Sequence, residues 1–139
     1  MKSLVLFFMM TVALGWAQEE SPKGITLTIT LENVLNDQGD ILAALHTQNT
    51  FMKGRGVADY KAQAQKGVMT FTFDNVAPGT YGVSVLHDLN SNQRMDYQSN
   101  GMPDEPYGMS GNDMSMGPPS FDSVSFVVGT GDQDITIRF

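Results

Sequence analysis

The chain has 139 residues, 15 acidic against 8 basic, a formal net charge of −7 and no cysteine. That length holds one domain around one core. The missing cysteine excludes disulfides and thiolate metal sites, and the acidity disfavours nucleic acid and anionic membranes as partners while suiting cations.

Residues 1–17 carry the three-part pattern of a secretory signal peptide. Lys2 is the basic start, residues 4–14 are apolar except for Thr11, and Gly15, Trp16 and Ala17 lead to a cleavage point. The apolar run is too short to span a bilayer. Cleavage after Ala17 leaves residues 18–139 as a single mature domain of charge −8, with no second stretch for membrane insertion. The expected destination is periplasmic or extracellular.

In the mature chain, residues 18–24 read as a polar leader. Residues 25–31 then alternate, with Ile25, Leu27, Ile29 and Leu31 on one side and threonines on the other. Period two with β-branched residues predicts a strand with one buried face. Residues 33–39 form an Asn, Asp and Gly turn region, and residues 41–46 a second, shorter strand. The polar connection 47–58 follows, and residues 58–65 fit either a helical turn or a strand. Met69, Phe71 and Phe73 mark the next strand, and a turn at Pro78-Gly79 precedes the alternating Tyr81, Val83, Val85 and His87. Gly82 and Ser84 on the opposite side leave room for close packing. Residues 122–128 and 134–139 are expected to pair as a hairpin across residues 129–133, with Phe139 as the last core residue. No βαβ rhythm or repeat is present. The expected fold is therefore all-β: an antiparallel β-sandwich of about seven strands with one long acidic loop.

That loop runs over thirty residues from Asp88 to Phe121, a length that in a compact domain is usually functional or disordered. Its Tyr97, Tyr107, Pro118, Pro119 and Phe121 favour an ordered excursion across one end of the sandwich. Oxygen side chains recur at Asp88, Asn90, Asn92 and Asp96. Calcium takes six to eight oxygens, and this spacing lets a tight loop wrap one ion, with the Arg94 backbone carbonyl in the next position and its side chain outward. The series resembles the first nine positions of an EF-hand loop. Gln93 stands where that loop has glycine, and Ser99 where it has a bidentate glutamate, so Asp104 or Glu105 is needed to return to the site. The competing interpretation is an Asn-rich loop whose side chains cap their own turns.

Other chemistry is sparser. Met102, Met109, Met114 and Met116, with His87, are candidate ligands for a soft metal such as cuprous copper; methionines also fill irregular space beneath loops. No nucleophile elbow, HExxH pattern or phosphate loop occurs, so no enzyme activity is expected. A hydrolase acting on an envelope substrate would need a cleft joining His87 to Asp104 or Glu105.

An ordered series of residues carries a family resemblance. It comprises Pro78-Gly79-Thr80-Tyr81, His87-Asp88, Asn90, Asn92, Asp96, Gly101-Met102-Pro103, Glu105, Gly108, Ser110, Asn112 and Gly117-Pro118-Pro119-Ser120-Phe121. In these the chain resembles the exported bacterial proteins grouped as domain of unknown function 2141. The resemblance implies export and a small β-sandwich, names no reaction, and typically places glycine at the position of Gln93. The Pro-Gly-Thr-Tyr step is also similar to prealbumin-like and carboxypeptidase-regulatory-like domains, which implies a structural or binding role. Together these readings give a non-enzymatic exported module with a protein or glycan partner in the cell envelope and calcium as the candidate cofactor.

Overall fold

A computed structural model describes residues 23–112 and 117–139. The expected signal peptide, Met114 and Met116 lie outside the described residues. Eight strands and one helical turn follow in chain order: β1 (Ile25–Val34), β2 (Asp40–His46), β3 (Ala58–Gln63), β4 (Gly67–Val76), β5 (Gly79–Asp88), β6 (Tyr107–Met109), α1 (Phe121–Val124), β7 (Phe126–Val128) and β8 (Gln133–Arg138). They form two sheets, β4-β1-β8 and β3-β2-β5-β6, with β7 pairing an end of β5. The protein is an all-β sandwich.

The inner faces are those that alternation predicts. Leu27, Ile29 and Leu31 of β1 are fully buried and share one core with Ile41 and Leu45 of β2 and Val83 and Val85 of β5. Each such side chain contributes about 1.5–3 kcal/mol relative to exposure. Tyr60 stacks on Phe71 at 4.1 Å between ring centroids, bridging the edge strands β3 and β4. Residues 58–63, open between helix and strand in the sequence, are thus a strand: Ala58, Tyr60 and Ala62 pack against the core in alternation.

Three expectations need correction. The sandwich is not wholly antiparallel, because β8 runs parallel to β1, with Leu31 opposite Ile137. The closing hairpin does not form: β7 pairs β5 in one sheet, while β8 joins β1 in the other. Period-two alternation says which side chains face the core but not from which sheet they face it. Asp132 fixes the crossing, its carboxylate accepting from the Thr26 backbone N–H at 2.9 Å. Finally, the residues before Ser125 are helical rather than extended. Ser120 caps the turn, its hydroxyl accepting from the Ser123 N–H, and Asp122 sits in the first turn. Val124 then fills the space above Gly82, where a Cβ would lie 2.9 Å from its methyl group. Among the described residues there are eight strands, in keeping with the expected number of about seven; β3 and β6 join those read from the sequence.

One element introduces a pH dependence. His46, at the end of β2, is buried edge-on to Phe51, with ring nitrogens 3.3 Å from the Thr50 hydroxyl and 3.1 Å from that of Ser84. Burial lowers its pKa from the ordinary 6.5, outweighing the opposing effects of Thr50 and Asp59. Below pH 6.5 the unfolded chain therefore binds a proton that the folded chain resists. Stability declines as pH falls from 6.5, until the folded His46 itself protonates. Melting curves from pH 7.5 to 5.5 are expected to shift downward for the native chain and distinctly less for His46→Gln. Equal slopes would remove His46 as the cause.

Candidate functional site

The long loop leaves β5 at Asp88, a residue with no solvent exposure. Its carboxylate accepts from the backbone N–H groups of Asn92 (3.1 Å) and Gln93 (2.7 Å). The chain there passes through the left-handed region twice, at Ser91 (φ 55°) and Gln93 (φ 64°). Gln93 therefore makes a left-handed turn without glycine, and the charge-assisted bonds to Asp88 offset the roughly 1 kcal/mol that a side chain costs in that conformation.

Asn90, Asn92 and Asp96 converge at the exposed side of this turn. The Asn90 amide donates to Asp96 Oδ2 at 2.6 Å, and the Asn92 amide donates to both Asp96 oxygens at 2.9 and 3.0 Å. The amide oxygens cap backbone groups, Asn90 accepting from Asn92 N–H and Asn92 from Arg94 N–H. The Arg94 side chain is exposed. The loop is thus the self-capped form of the two sequence interpretations. It is a self-capped Asx turn whose two asparagines and two aspartates fit calcium in donor type, since rotating each carboxamide replaces its N–H groups by an oxygen. Among the described residues no three His, Asp or Glu side chains form a metal-holding group, so any cation here would depend on the neutral amide oxygens.

Glu105 is the residue that returns. It is buried, and its two oxygens accept from Leu89 N–H (2.9 Å) and Asp96 N–H (3.2 Å), closing the loop across both its ends. Asp104 stays exposed, its side chain accepting from the Gln98 amide at 3.4 Å, while its N–H donates to the Asp96 carbonyl. Gly39 completes the support. At φ 71° it passes so close to the end of β5 that a Cβ would sit 2.1 Å from the Asp88 carbonyl oxygen.

His87 belongs to the core rather than to the loop. It is fully buried on the inner face of β5, stacked on Phe139 at 6.1 Å, with Nε2 2.7 Å from the Gln38 carbonyl. The N–H on Nε2 donates to that carbonyl, and Nδ1 has no hydrogen-bond partner among the described residues. Lacking exposure, His87 shares no cleft with Asp104 or Glu105. It also faces away from Met102 and Met109, which look onto the other side of the sheet.

That other side carries a groove of about 1060 Å³. Leu42 and Ala44 of β2, Ser84 and Leu86 of β5 and Tyr107 and Met109 of β6 form its floor. Met95, Tyr97, Met102 and Pro103 of the loop wall one side, and Met52, Arg55, Pro118 and Pro119 contribute elsewhere. A bridge between Tyr97 and Pro103 shapes the wall. The loop thus rises over a sheet face and not only across an end of the sandwich. Sequence reading missed this floor, although a signal was present. In Ile41-Leu42-Ala43-Ala44-Leu45 both strand faces are apolar, unlike the strict alternation with threonine in β1.

Two further residues anchor the far end of the loop. Ser110 is buried, accepts from the Val83 N–H (2.9 Å) and donates to the Val124 carbonyl. Asn112 pairs with the free edge of β8, donating to the Thr136 carbonyl (2.9 Å) and accepting from the Arg138 N–H (3.0 Å). It thereby covers strand-edge groups that would otherwise be open to another chain.

These features define a class: a β-sandwich with a buried-carboxylate Asx loop standing over an apolar sheet face. Residues 29–136 match the model of a bacterial family described as "Uncharacterized protein conserved in bacteria (DUF2141)", and the chain belongs to that family. No curated protein and no solved structure matches the chain.

Proposed function

We propose that this is an exported, non-enzymatic binding module whose working surface is the groove on the outer face of the five-stranded sheet, and that calcium orders the loop walling it. The observation that carries this reading is the joint placement of the Asx turn and the groove. Residues 88–105 hold Asp88, Asn90, Asn92, Asp96 and Glu105 at one end and present Met95, Tyr97, Met102 and Pro103 to the groove at the other. In this role Asp88 and Asp96 supply charge, Asn90, Asn92 and the Arg94 carbonyl supply neutral oxygens, and Glu105 fixes the loop ends. An ion there neutralises carboxylates in an acidic protein and stiffens the wall. The partner is a component of the cell envelope.

Calcium titrated calorimetrically into EDTA-stripped protein is expected to bind with a Kd of order 10⁻⁴–10⁻³ M, as in extracellular modules. Asp96→Asn should weaken binding at least tenfold, and backbone amides of residues 90–104 should exchange more slowly when calcium is present. No heat and no protection at millimolar calcium would defeat the ion's role.

A second reading has one specific observation behind it. Met52, Met95, Met102 and Met109 all line the same groove, a thioether-rich surface suited to a soft cation. His87 has no part in it, because it points into the core. Cuprous ion binding that survives Asp96→Asn and is lost in Met102→Ala with Met109→Ala would favour this alternative.

A further inference from the structure

We infer that the groove takes an uncharged, elongated aliphatic chain, such as the hydrocarbon part of a single-chain lipid; this rests on the proposal that the groove is the working surface. The two sheets of the sandwich supply an internal comparison. The outer face of the three-stranded sheet carries Thr28, Thr30, Thr70, Thr72, Asp134 and Thr136, with Val68 the exception. That is the expected polar finish of a sheet face turned to water. The corresponding positions of β2, β5 and β6 are Leu42, Ala44, Leu86, Tyr107 and Met109 around Ser84, and Asp59 and Lys61 stand on the edge strand β3. The same chain thus makes one face for solvent and one that is better covered than wet.

Polar groups around the floor decide what kind of molecule fits. Arg55 is paired with Asp59 at 3.1 Å and Lys61 with Asp40 at 3.5 Å, so the cations beside the groove already have carboxylate partners. The Ser84 hydroxyl is held by His46. The backbone groups of β2, β5 and β6 are directed within the sheet, into the β2–β5 and β5–β6 ladders. Apart from the Tyr107 hydroxyl on the floor, and Tyr60, Tyr97 and Gln93 elsewhere in the lining, the groove offers few free donors or acceptors. A glycan or a peptide backbone laid along β2, β5 and β6 would bury most of its hydroxyl or amide groups without partners, at a cost of about 1–3 kcal/mol each. A methylene chain incurs no such cost. The space fits as well: about 1060 Å³ is slightly above the usual range for small-ligand sites. Met95, Met102 and Met109 are flexible side chains that adapt to a chain without fixed shape.

The test uses the full mature chain, the neutral fluorescent probe N-phenyl-1-naphthylamine and three competitors: hexadecanol, a neutral maltooligosaccharide and an uncharged apolar decapeptide. The probe should brighten saturably, hexadecanol should displace it, and the sugar and peptide should leave it in place. Leu86→Glu, which puts a charge on the floor, should weaken probe binding at least tenfold. Tyr107→Lys tests the same surface at an exposed position, where the fold tolerates change, and should weaken it severalfold with unchanged melting. Probe binding untouched by both substitutions, or no probe binding at all, overturns the assignment. Displacement by the sugar or the peptide but not by hexadecanol overturns the aliphatic ligand while leaving the groove as a working surface. Calcium calorimetry reports separately on the loop.

Discussion

Deleting Ile137, Arg138 and Phe139 is expected to destabilise the domain by about 4 kcal/mol or more, a fall in Tm of roughly 10–20 °C. Ile137 is fully buried opposite Leu31 in the parallel pair. Its loss alone removes a complete core side chain where β1 has no other neighbour on that side. Arg138 makes a charge-assisted bond from Nε to Glu32 at 2.6 Å, although its exposure limits the stabilisation. Phe139 returns its N–H to the Glu32 carbonyl and stacks on His87, so its removal also uncovers the ring behind the start of the loop. Thermal unfolding followed by circular dichroism measures the effect. A melting temperature within 2 °C of the intact chain would contradict the placement of β8 beside β1.

Asp88→Ala is expected to cost roughly 3 kcal/mol and to release the loop wall while leaving the sandwich folded. Two backbone donors, Asn92 N–H and Gln93 N–H, lose a buried carboxylate acceptor, and hydrogen bonds to a charged group contribute about 1.5–3 kcal/mol each. Gln93 also loses the bond that holds it at φ 64°, so the turn can relax and the Asx cluster disperses. Asp88→Asn keeps one acceptor oxygen and should recover part of the loss. Urea unfolding gives the free energy, and hydrogen exchange at residues 90–104 gives the local opening. Fast exchange in that segment with intact protection in β1 and β2 is the expected signature. An unchanged urea midpoint, or uniform loss of protection throughout the chain, would refute a local role for Asp88.

The legible parts of this fold are those in which side-chain order alone carries the information. The Ile25 to Leu31 alternation, the Met69-Phe71-Phe73 face and the Tyr81 to His87 face all lie where period two places them, because a half-buried strand admits no other arrangement of its apolar groups. The Asp88–Asp96 series was legible as an oxygen-bearing turn for a similar reason: Asx side chains act on backbone groups two to five residues away. Pro118, Pro119 and Ser120 could have announced the short helix, since Ser120 is a capping residue, but the following Val124, Phe126 and Val128 imitate a strand. The hairpin expectation for β7 and β8 failed because both strands contribute to the same interior from opposite sheets, and only long-range packing distinguishes the two pairings.

By itself, then, the amino-acid order determined the strand faces, the acidic turn and the all-β class, since each arises from interactions between residues close along the chain. Tertiary structure alone decided that Glu105 closes the turn from 16 residues away and that Asn112 covers the edge of β8. It also decided that Leu42, Leu86 and Tyr107 meet on one apolar floor. These depend on the order in which strands are laid side by side. That order follows from the total free energy of the packed core, to which no local stretch of sequence has access.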